Sequence, residues 1–247
     1  GFAAFAGDDA RRATAVLLAE GPIRIKCGSG VGGRGQYLAN TIDEADRALA
    51  ALDASELAQS GIVVEEHLAA VTTYSVGQVE VDGLVASYCG TQQTTRNRHG
   101  DEVYGGSTLD VLRGGFDALL VQDLRVDARD AVDLASRYDR AARACFEGLF
   151  ASRRNYDVAI GADATGTRRA GVLEQSWRIG GASGAEILAL AAFRRDPARR
   201  RISCATVEVY DQQRAVPADA FVYFRDDGAG AGPAIKYAVE LDDADAG

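Results

Sequence analysis

Ile23-Arg24-Ile25-Lys26-Cys27-Gly28-Ser29-Gly30-Val31-Gly32-Gly33-Arg34-Gly35-Gln36-Tyr37-Leu38-Ala39 is the stretch whose reading decides the fold. Ile23 to Cys27 alternates apolar and polar side chains as a strand does, residues 28–35 hold five glycines in eight, and Gln36 to Ala39 is again extended. The order is strand, glycine loop, strand. Gly28 to Gly33 satisfies G-x-G-x-x-G behind a strand, but a dinucleotide loop must open directly into a helix whose positive end meets the pyrophosphate. Here the helix signal begins only at Thr41. A Walker loop fails as well, because the lysine precedes the glycines. What remains is a hairpin whose backbone N–H groups can lie over phosphates, with Lys26 as a compact charge beneath. The competing reading is a plain surface hairpin.

Outward from that hairpin, Asp8 to Ala19 has helical spacing and stops at Gly21-Pro22, and Thr41 with Glu44 starts a helix through Leu52 by a capping box. Gly61 to Glu66 reads as a buried strand. Val71 to Val81 and Leu84 to Tyr88, joined at Asp82-Gly83, predict a hairpin, so the centre is antiparallel sheet. Thr91 to Gly115 is polar, glycine-rich and weakly periodic, and is expected to be a long functional loop whose Arg96, Arg98 and Arg113 either hold an anion or serve solubility. Ala128 to Phe150 is a long amphipathic helix, Asn155 to Ile160 and Ala170 to Glu174 are strands facing across Asp163 to Thr167, and Ser183 to Phe193 is an alanine-rich helix. No repeat and no clear linker divides the chain.

Composition bounds the partners. The 247 residues are 47% apolar and 26% charged, those of an ordinary globular chain with a sizeable core. A net charge of -9 argues against a sequence-independent grip on nucleic acid, and no apolar run approaches the roughly 20 residues of a membrane helix. Four cysteines without a CxxC pair and only His67 and His99 argue against zinc and a disulfide scaffold, with a reducing cytoplasm expected. Only Lys26 and Lys236 are lysines among 27 basic residues, so each lysine invites a reason. The chain starts at Gly1 and has no methionine, which predicts a fragment lacking an amino-terminal portion.

Two further constellations carry chemistry. In Leu173-Glu174-Gln175-Ser176-Trp177-Arg178-Ile179-Gly180-Gly181, a period of two puts Glu174, Ser176 and Arg178 on one face, and Asp157 or Asp163 upstream brings a second carboxylate within reach. Two carboxylates are what Mg²⁺ on nucleotide phosphates requires; the competing reading is a solvated Glu174–Arg178 ion pair. Ile62-Val63-Val64-Glu65-Glu66-His67-Leu68 is a buried strand leaving the core with acids at its exit, where backbone groups can bond the rim of a purine.

In this order, over roughly Ile23 to Gly181, the segments resemble the ATP-grasp superfamily. There a strand lysine and glycine hairpin cover the phosphates, a Glu-x-x-Leu strand exit holds adenine, and a late Glu-x-Asn-x-Arg strand binds magnesium. The resemblance implies an α+β fold of two α+β subdomains with mostly antiparallel sheets enclosing a nucleotide cleft, residues 1–70 forming the small one and 71–247 the large one. It implies that Lys26, Gly28, Ser29, Gly30, Gly32, Gly33 and Gly35 bind the phosphates of ATP and that Glu65, Glu66, His67 and Leu68 form the adenine hinge. It further implies that Glu174 and either Asp157 or Asp163 bind Mg²⁺, with Ser176 standing where the family usually has asparagine, and that Lys26 and Arg178 act in catalysis. The activity implied is ATP-dependent activation of a small carboxylate as an acyl phosphate for attack by an amine or related nucleophile. A kinase on this scaffold, a non-catalytic nucleotide module and, last, a dinucleotide oxidoreductase compete with it. No nucleic-acid or membrane partner is expected, and a homo-oligomer is left open.

Overall fold

Ile23 and Ile25 alternate with Arg24 and Lys26, so a strand there can bury one side and leave the other polar, and it does. In the computed structural model, which describes residues 1–28, 35–210, 215–226 and 232–242, the chain divides into two units. One is Gly1–Val71 with Gly161–Arg169; the other is Thr72–Ile160 with Ala170–Gly247.

The first unit opens with strand β1 (Phe2–Ala4), helix α1 (Gly7–Leu18), β2 (Ile23–Cys27), β3 (Gln36–Ala39), α2 (Ile42–Ala50), α3 (Ala54–Ser60) and β4 (Ile62–Glu66). Its four-stranded sheet runs β1-β4-β2-β3, antiparallel throughout. Ala4, Ile23, Ile25, Ala39, Ile62 and Val64 cluster with Ala10, Ala13 and Ala45 of α1 and α2, which closes one face. The capping box is present: Thr41 Oγ1 accepts from the Glu44 N–H at 3.2 Å, and Glu44 Oε2 accepts from the Asn40 N–H at 2.7 Å. Helix α3 was not expected. Its signal is Asp53, whose Oδ1 caps the N–H groups of Ser55 and Glu56.

The second unit is built on β5 (Ala69–Val81), β6 (Leu84–Arg96), β7 (Glu102–Arg113), α4 (Phe116–Leu120), α5 (Val126–Cys145), β8 (Arg153–Ala162), β9 (Arg168–Ser176), α6 (Ser183–Arg195), β10 (Arg201–Val209), β11 (Phe221–Arg225) and β12 (Ile235–Glu240). These strands form an eight-stranded sheet ordered β11-β12-β10-β7-β6-β5-β8-β9. Helix α6 covers one face, with Tyr88, Leu109, Val111, Phe193 and Ile202 at the contact. Helices α4 and α5 cover the other, over Val76, Tyr156, Val158 and Ile160. The Asp82-Gly83 turn has both residues at positive φ, 52° and 73°, as a two-residue hairpin turn requires. Tip residues of the β8–β9 hairpin fall in the first unit and its stem in the second.

The long loop expected over Thr91 to Gly115 is absent. The segment is the far half of β6, a short turn and all of β7, paired from Ala86↔Arg113 to Arg96↔Glu102 with a register shift at Gly105. Its glycines include one that serves close approach: a Cβ on Gly106 would sit 2.1 Å from the Thr206 carbonyl oxygen. The three arginines bond backbone carbonyls, Arg96 to Gly100, Arg98 to Tyr210 and Arg113 to Phe193 and Arg199. These contacts fasten β6 and β7 to the segments beside them. Among the described residues, no helix is long and apolar enough to cross a membrane.

Candidate functional site

On the first unit's sheet, directly opposed residues share a face. The registers Ala3↔Val63↔Lys26↔Gln36 and Glu65↔Arg24↔Leu38 therefore place Lys26, Arg24, Gln36 and Glu65 together on the side that α1 and α2 leave uncovered. Lys26 Nζ stands 2.5 Å from Glu65 Oε1, with about a quarter of each side chain exposed, at 23% and 26%. Arg24 donates to Gln36 Oε1 at 3.0 Å and its Nη2 lies 3.4 Å from His67 Nδ1. Partial burial, then the Arg24 charge, hold the His67 imidazole below its ordinary pKa, favouring the neutral ring. The lysine strand and the acidic strand exit, remote in sequence, thus share one surface.

The strand exit is held from two directions. The His67 N–H donates to the Pro22 carbonyl at 2.9 Å, while half-buried Leu68 lies beside Gly161. Glu66 faces Arg169 at 3.9 Å, and Arg169 pairs with Asp163 at 2.9 Å. Asp163 Oδ1 also accepts the Thr165 hydroxyl at 2.6 Å and the N–H groups of Thr165 and Thr167 at 2.9 Å each. This carboxylate shapes a turn.

The glycine hairpin is described at its two feet. The Gly28 N–H donates to the Gly61 carbonyl at 3.0 Å, and a Cβ there would stand 2.4 Å from the Ser60 carbonyl oxygen, so Gly28 is needed for β2 to pass the start of β4. Gly35 has φ +76°, and its carbonyl accepts from the Cys27 N–H at 2.8 Å. Ser29, Gly30, Gly32 and Gly33 lie outside the described residues.

In the second unit, β8 sends Arg153, Asn155 and Asp157 toward α6 and Arg154, Tyr156, Val158 and Ile160 toward α5, by strand alternation. Asn155 donates to Asp157 Oδ1 at 2.9 Å and Ser75 donates to it at 3.3 Å. On β9, Gln175 meets Tyr138 of α5, whereas Ser176 Oγ accepts from Arg153 Nη1 at 3.2 Å on the opposite side. Val172 and Trp177, five residues apart, both pack on the α5 side, so β9 breaks its alternation between them; Glu174, inside that stretch, is exposed and makes no hydrogen bond or ion pair among the described residues. Asp157 and Ser176 are on one polar face, and Asp157 and Glu174 are oxygen donors of the kind Mg²⁺ takes. No group of three or more His, Cys, Asp or Glu side chains converges among the described residues. The alternation expected to carry on to Arg178 does not, because β9 ends at Ser176; exposed Arg178 folds its guanidinium onto the Ile179 carbonyl at 3.0 Å.

Sequence reading missed the support beneath this face. Arg153, buried, grips Glu186 of α6 at 2.8–3.0 Å, and Tyr88 donates to the same carboxylate at 2.6 Å. Arg153 Nη1 also reaches the carbonyls of Ser176 and Arg178 at 2.9 and 2.7 Å, which fixes where β9 ends. The available signal was an acid, Glu186, in the first turn of a helix that is apolar from Ile187 to Phe193.

A family model described as "Protein of unknown function (DUF3182)" matches residues 1–238. A search of curated proteins found no match. Among solved structures, N5-carboxyaminoimidazole synthetase from Staphylococcus aureus complexed with ADP is similar over 98% of this chain and 62% of that one, with a TM-score of 0.56 and 11% identity. Phosphoribosylamine–glycine ligase from Thermotoga maritima is similar over 97% and 66%, with a TM-score of 0.55 and 13% identity. The biotin carboxylase domain of the Hydrogenobacter thermophilus 2-oxoglutarate carboxylase, crystallised with MgADP, ADP and bicarbonate, is similar over 95% and 56%, with a TM-score of 0.53 and 13% identity. These are ATP-grasp enzymes, and the chain has the ATP-grasp fold. It spans about three fifths of the length of the solved structures it resembles.

Proposed function

The chain belongs to the DUF3182 family, and from that premise and its fold we propose that it is part of an ATP- and magnesium-dependent ligase. The enzyme activates a small-molecule carboxylate as an acyl phosphate for attack by an amine or related nucleophile. The observation that carries this reading is the shared open face of the first unit's sheet, where Lys26, at the foot of the glycine hairpin, lies 2.5 Å from Glu65, at the strand exit. The segments that the resemblance assigns to phosphate and to adenine are neighbours there.

Phosphoryl transfer asks a protein chiefly for positioning and charge. Lys26 exchanges Glu65 for a phosphate oxygen, the N–H groups of residues 28–35 cover the phosphates, and the Glu65-Glu66-His67-Leu68 segment borders the adenine. Asp157 and Glu174 are the residues that hold magnesium, and Arg178 carries a positive charge for the acyl or phosphoryl group. Magnesium, when bound, neutralises phosphate charge. Asp163 is assigned to its turn, since its carboxylate is already taken up by Thr165, Thr167 and Arg169.

Lys26→Ala and Glu174→Ala are each expected to abolish MgATP binding or turnover, with the fold intact; loss of one such charged contact costs on the order of 100-fold or more in rate. Calorimetric nucleotide titration with circular dichroism checks both, and unchanged affinity in the two variants rejects the assignment. Trapping product with hydroxylamine separates a ligase, which gives a hydroxamate, from a kinase on the same scaffold, which gives a stable phosphate ester. Nucleotide binding without either product marks a non-catalytic module.

A further inference from the structure

We propose that the groove between β3 and α2 binds an acidic segment of a partner protein as an added strand, paired to Gln36 and Leu38 with a side-chain carboxylate against Arg47. Among the described residues β3 is an edge strand, with β2 on one side and no strand on the other. The ladder decides which of its backbone groups are spent. The Cys27 N–H donates to the Gly35 carbonyl at 2.8 Å, and hydrogen-bonded pairs recur at every second residue of an antiparallel ladder. Tyr37 and Ala39 therefore face β2, opposite Ile25 and Ile23. The other parity of β2 is used on the β4 side, where Gly28 bonds Gly61 and Pro22 bonds His67. Gln36 and Leu38 thus turn their N–H and carbonyl groups outward, and no backbone group among the described residues meets them.

Beside this edge runs a groove of about 460 Å³, bounded by Gln36, Tyr37 and Leu38 on β3 and by Arg47, Ala48 and Ala51 on α2. Tyr37, 36% exposed, shares a side of the sheet with buried Ile25, the side that α2 covers. A strand laid along Gln36 and Leu38 would send the side chain opposite Tyr37 to that same side, where two alanines leave room for an apolar group. Its neighbours two positions away point there too. Arg47 sets the sign of the occupant. Its exposed guanidinium makes no hydrogen bond or ion pair among the described residues. The one carboxylate of the groove, Glu44, is spent on the start of α2: Oε2 accepts from the Asn40 N–H at 2.7 Å and from the Asn40 side-chain amide at 3.1 Å. The unspent charge is positive, and its complement is Asp or Glu on an extended segment. A second copy, pairing β3 to β3 about a two-fold axis, would bring both Arg47 side chains toward one seam, like charge against like.

The test selects a phage library of random linear peptides on the full chain, then measures the enriched sequences as synthetic peptides by fluorescence polarisation. Enriched sequences are expected to carry Asp or Glu two positions from an apolar residue, and to keep their affinity when the carboxyl terminus is amidated. Methylating the peptide nitrogens that face Gln36 and Leu38 is expected to weaken binding about tenfold or more, because it removes ladder hydrogen bonds while the protein stays unaltered. Arg47→Glu is expected to weaken it about tenfold or more with an unchanged urea midpoint, and a peptide whose acid is exchanged for arginine should regain affinity for that variant. No enrichment of acidic sequences, or an affinity indifferent to either the methylation or Arg47→Glu, overturns the proposal. Binding lost on amidation overturns the side-chain carboxylate. A concentration-dependent dimer in sedimentation that Leu38→Pro abolishes gives the edge to a second copy and overturns the partner.

Discussion

Arg153 and Arg154 are consecutive on β8, turn to opposite faces of the sheet, and end in carboxylates on different helices, Glu186 of α6 and Asp139 of α5 at 2.7 Å. A buried pair of this kind is costly to assemble because both ions leave water, yet far costlier to break, since the survivor keeps its charge without a partner. Glu186→Ala strands the charge of the Arg153 guanidinium and leaves the Tyr88 hydroxyl only Asn155 Oδ1 as acceptor, and is expected to lower unfolding free energy by about 3–5 kcal/mol in urea denaturation. Replacing both members with apolar groups, Arg153→Met with Glu186→Leu, should recover most of that loss. A double variant no more stable than Glu186→Ala would mean that the stability resides elsewhere. Lys26 and Glu65 form the opposite kind of pair, partly exposed and screened, and such pairs contribute little to stability, which leaves the lysine available to a ligand. The other lysine also has its reason: Lys236 pairs with Glu208 at 2.7 Å and lies over the Phe224 ring.

At the scale of elements, the turn joining β8 to β9 ties chemistry to acid stability. The Asp163 carboxylate accepts the Thr165 hydroxyl first of all, then backbone N–H groups of Thr167 and Thr165, and faces Arg169; together these hold its pKa below the ordinary carboxylate value. The native state therefore takes up this proton less readily than the unfolded chain. The stability it confers is complete above the unfolded pKa of about 4 and disappears as pH falls through the native value. Urea midpoints measured from about pH 6 to pH 2 should fall less steeply for Asp163→Asn than for the wild type; parallel profiles would show that the turn carries no such linkage. Much of this architecture was legible in the sequence because strands with one buried face alternate: Ile23 to Cys27 and Gln36 to Ala39 were read with their observed bounds, and the Thr41–Glu44 cap marked α2. The far half of β6 and all of β7 were not legible, because their glycines look like loop residues whereas Gly90 and Gly106 admit neighbouring backbone. The short helices α3 and α4 offer too few turns for a period to show. Arg153 and Glu186 look like surface charges until folding pairs them.

For the whole molecule the question is how a chain of net charge -9 would attract the polyanion proposed as its ligand. The overall field opposes association, so any gain must come from local positive groups such as Lys26 and Arg24 and from charge neutralised by magnesium. Nucleotide alone should therefore bind more weakly than its magnesium complex, and added salt should act in two directions, screening the repulsive net charge and the attractive local contacts alike. Because a ligand that binds only the folded state stabilises it by mass action, MgATP at 100 times its dissociation constant should raise the unfolding free energy by about 2.7 kcal/mol. Thermal unfolding with MgATP, ATP plus chelator, and MgCl₂ alone measures this directly. The expected order is a clear upward shift with the complex, a smaller one with free ATP and none with magnesium by itself. Equal shifts with and without the chelator would separate nucleotide binding from magnesium and leave the Asp157 and Glu174 carboxylates without the role proposed for them. No shift under any of the three conditions would instead count against Lys26 as a phosphate contact, since its pair with Glu65 would then be the resting arrangement and nothing more.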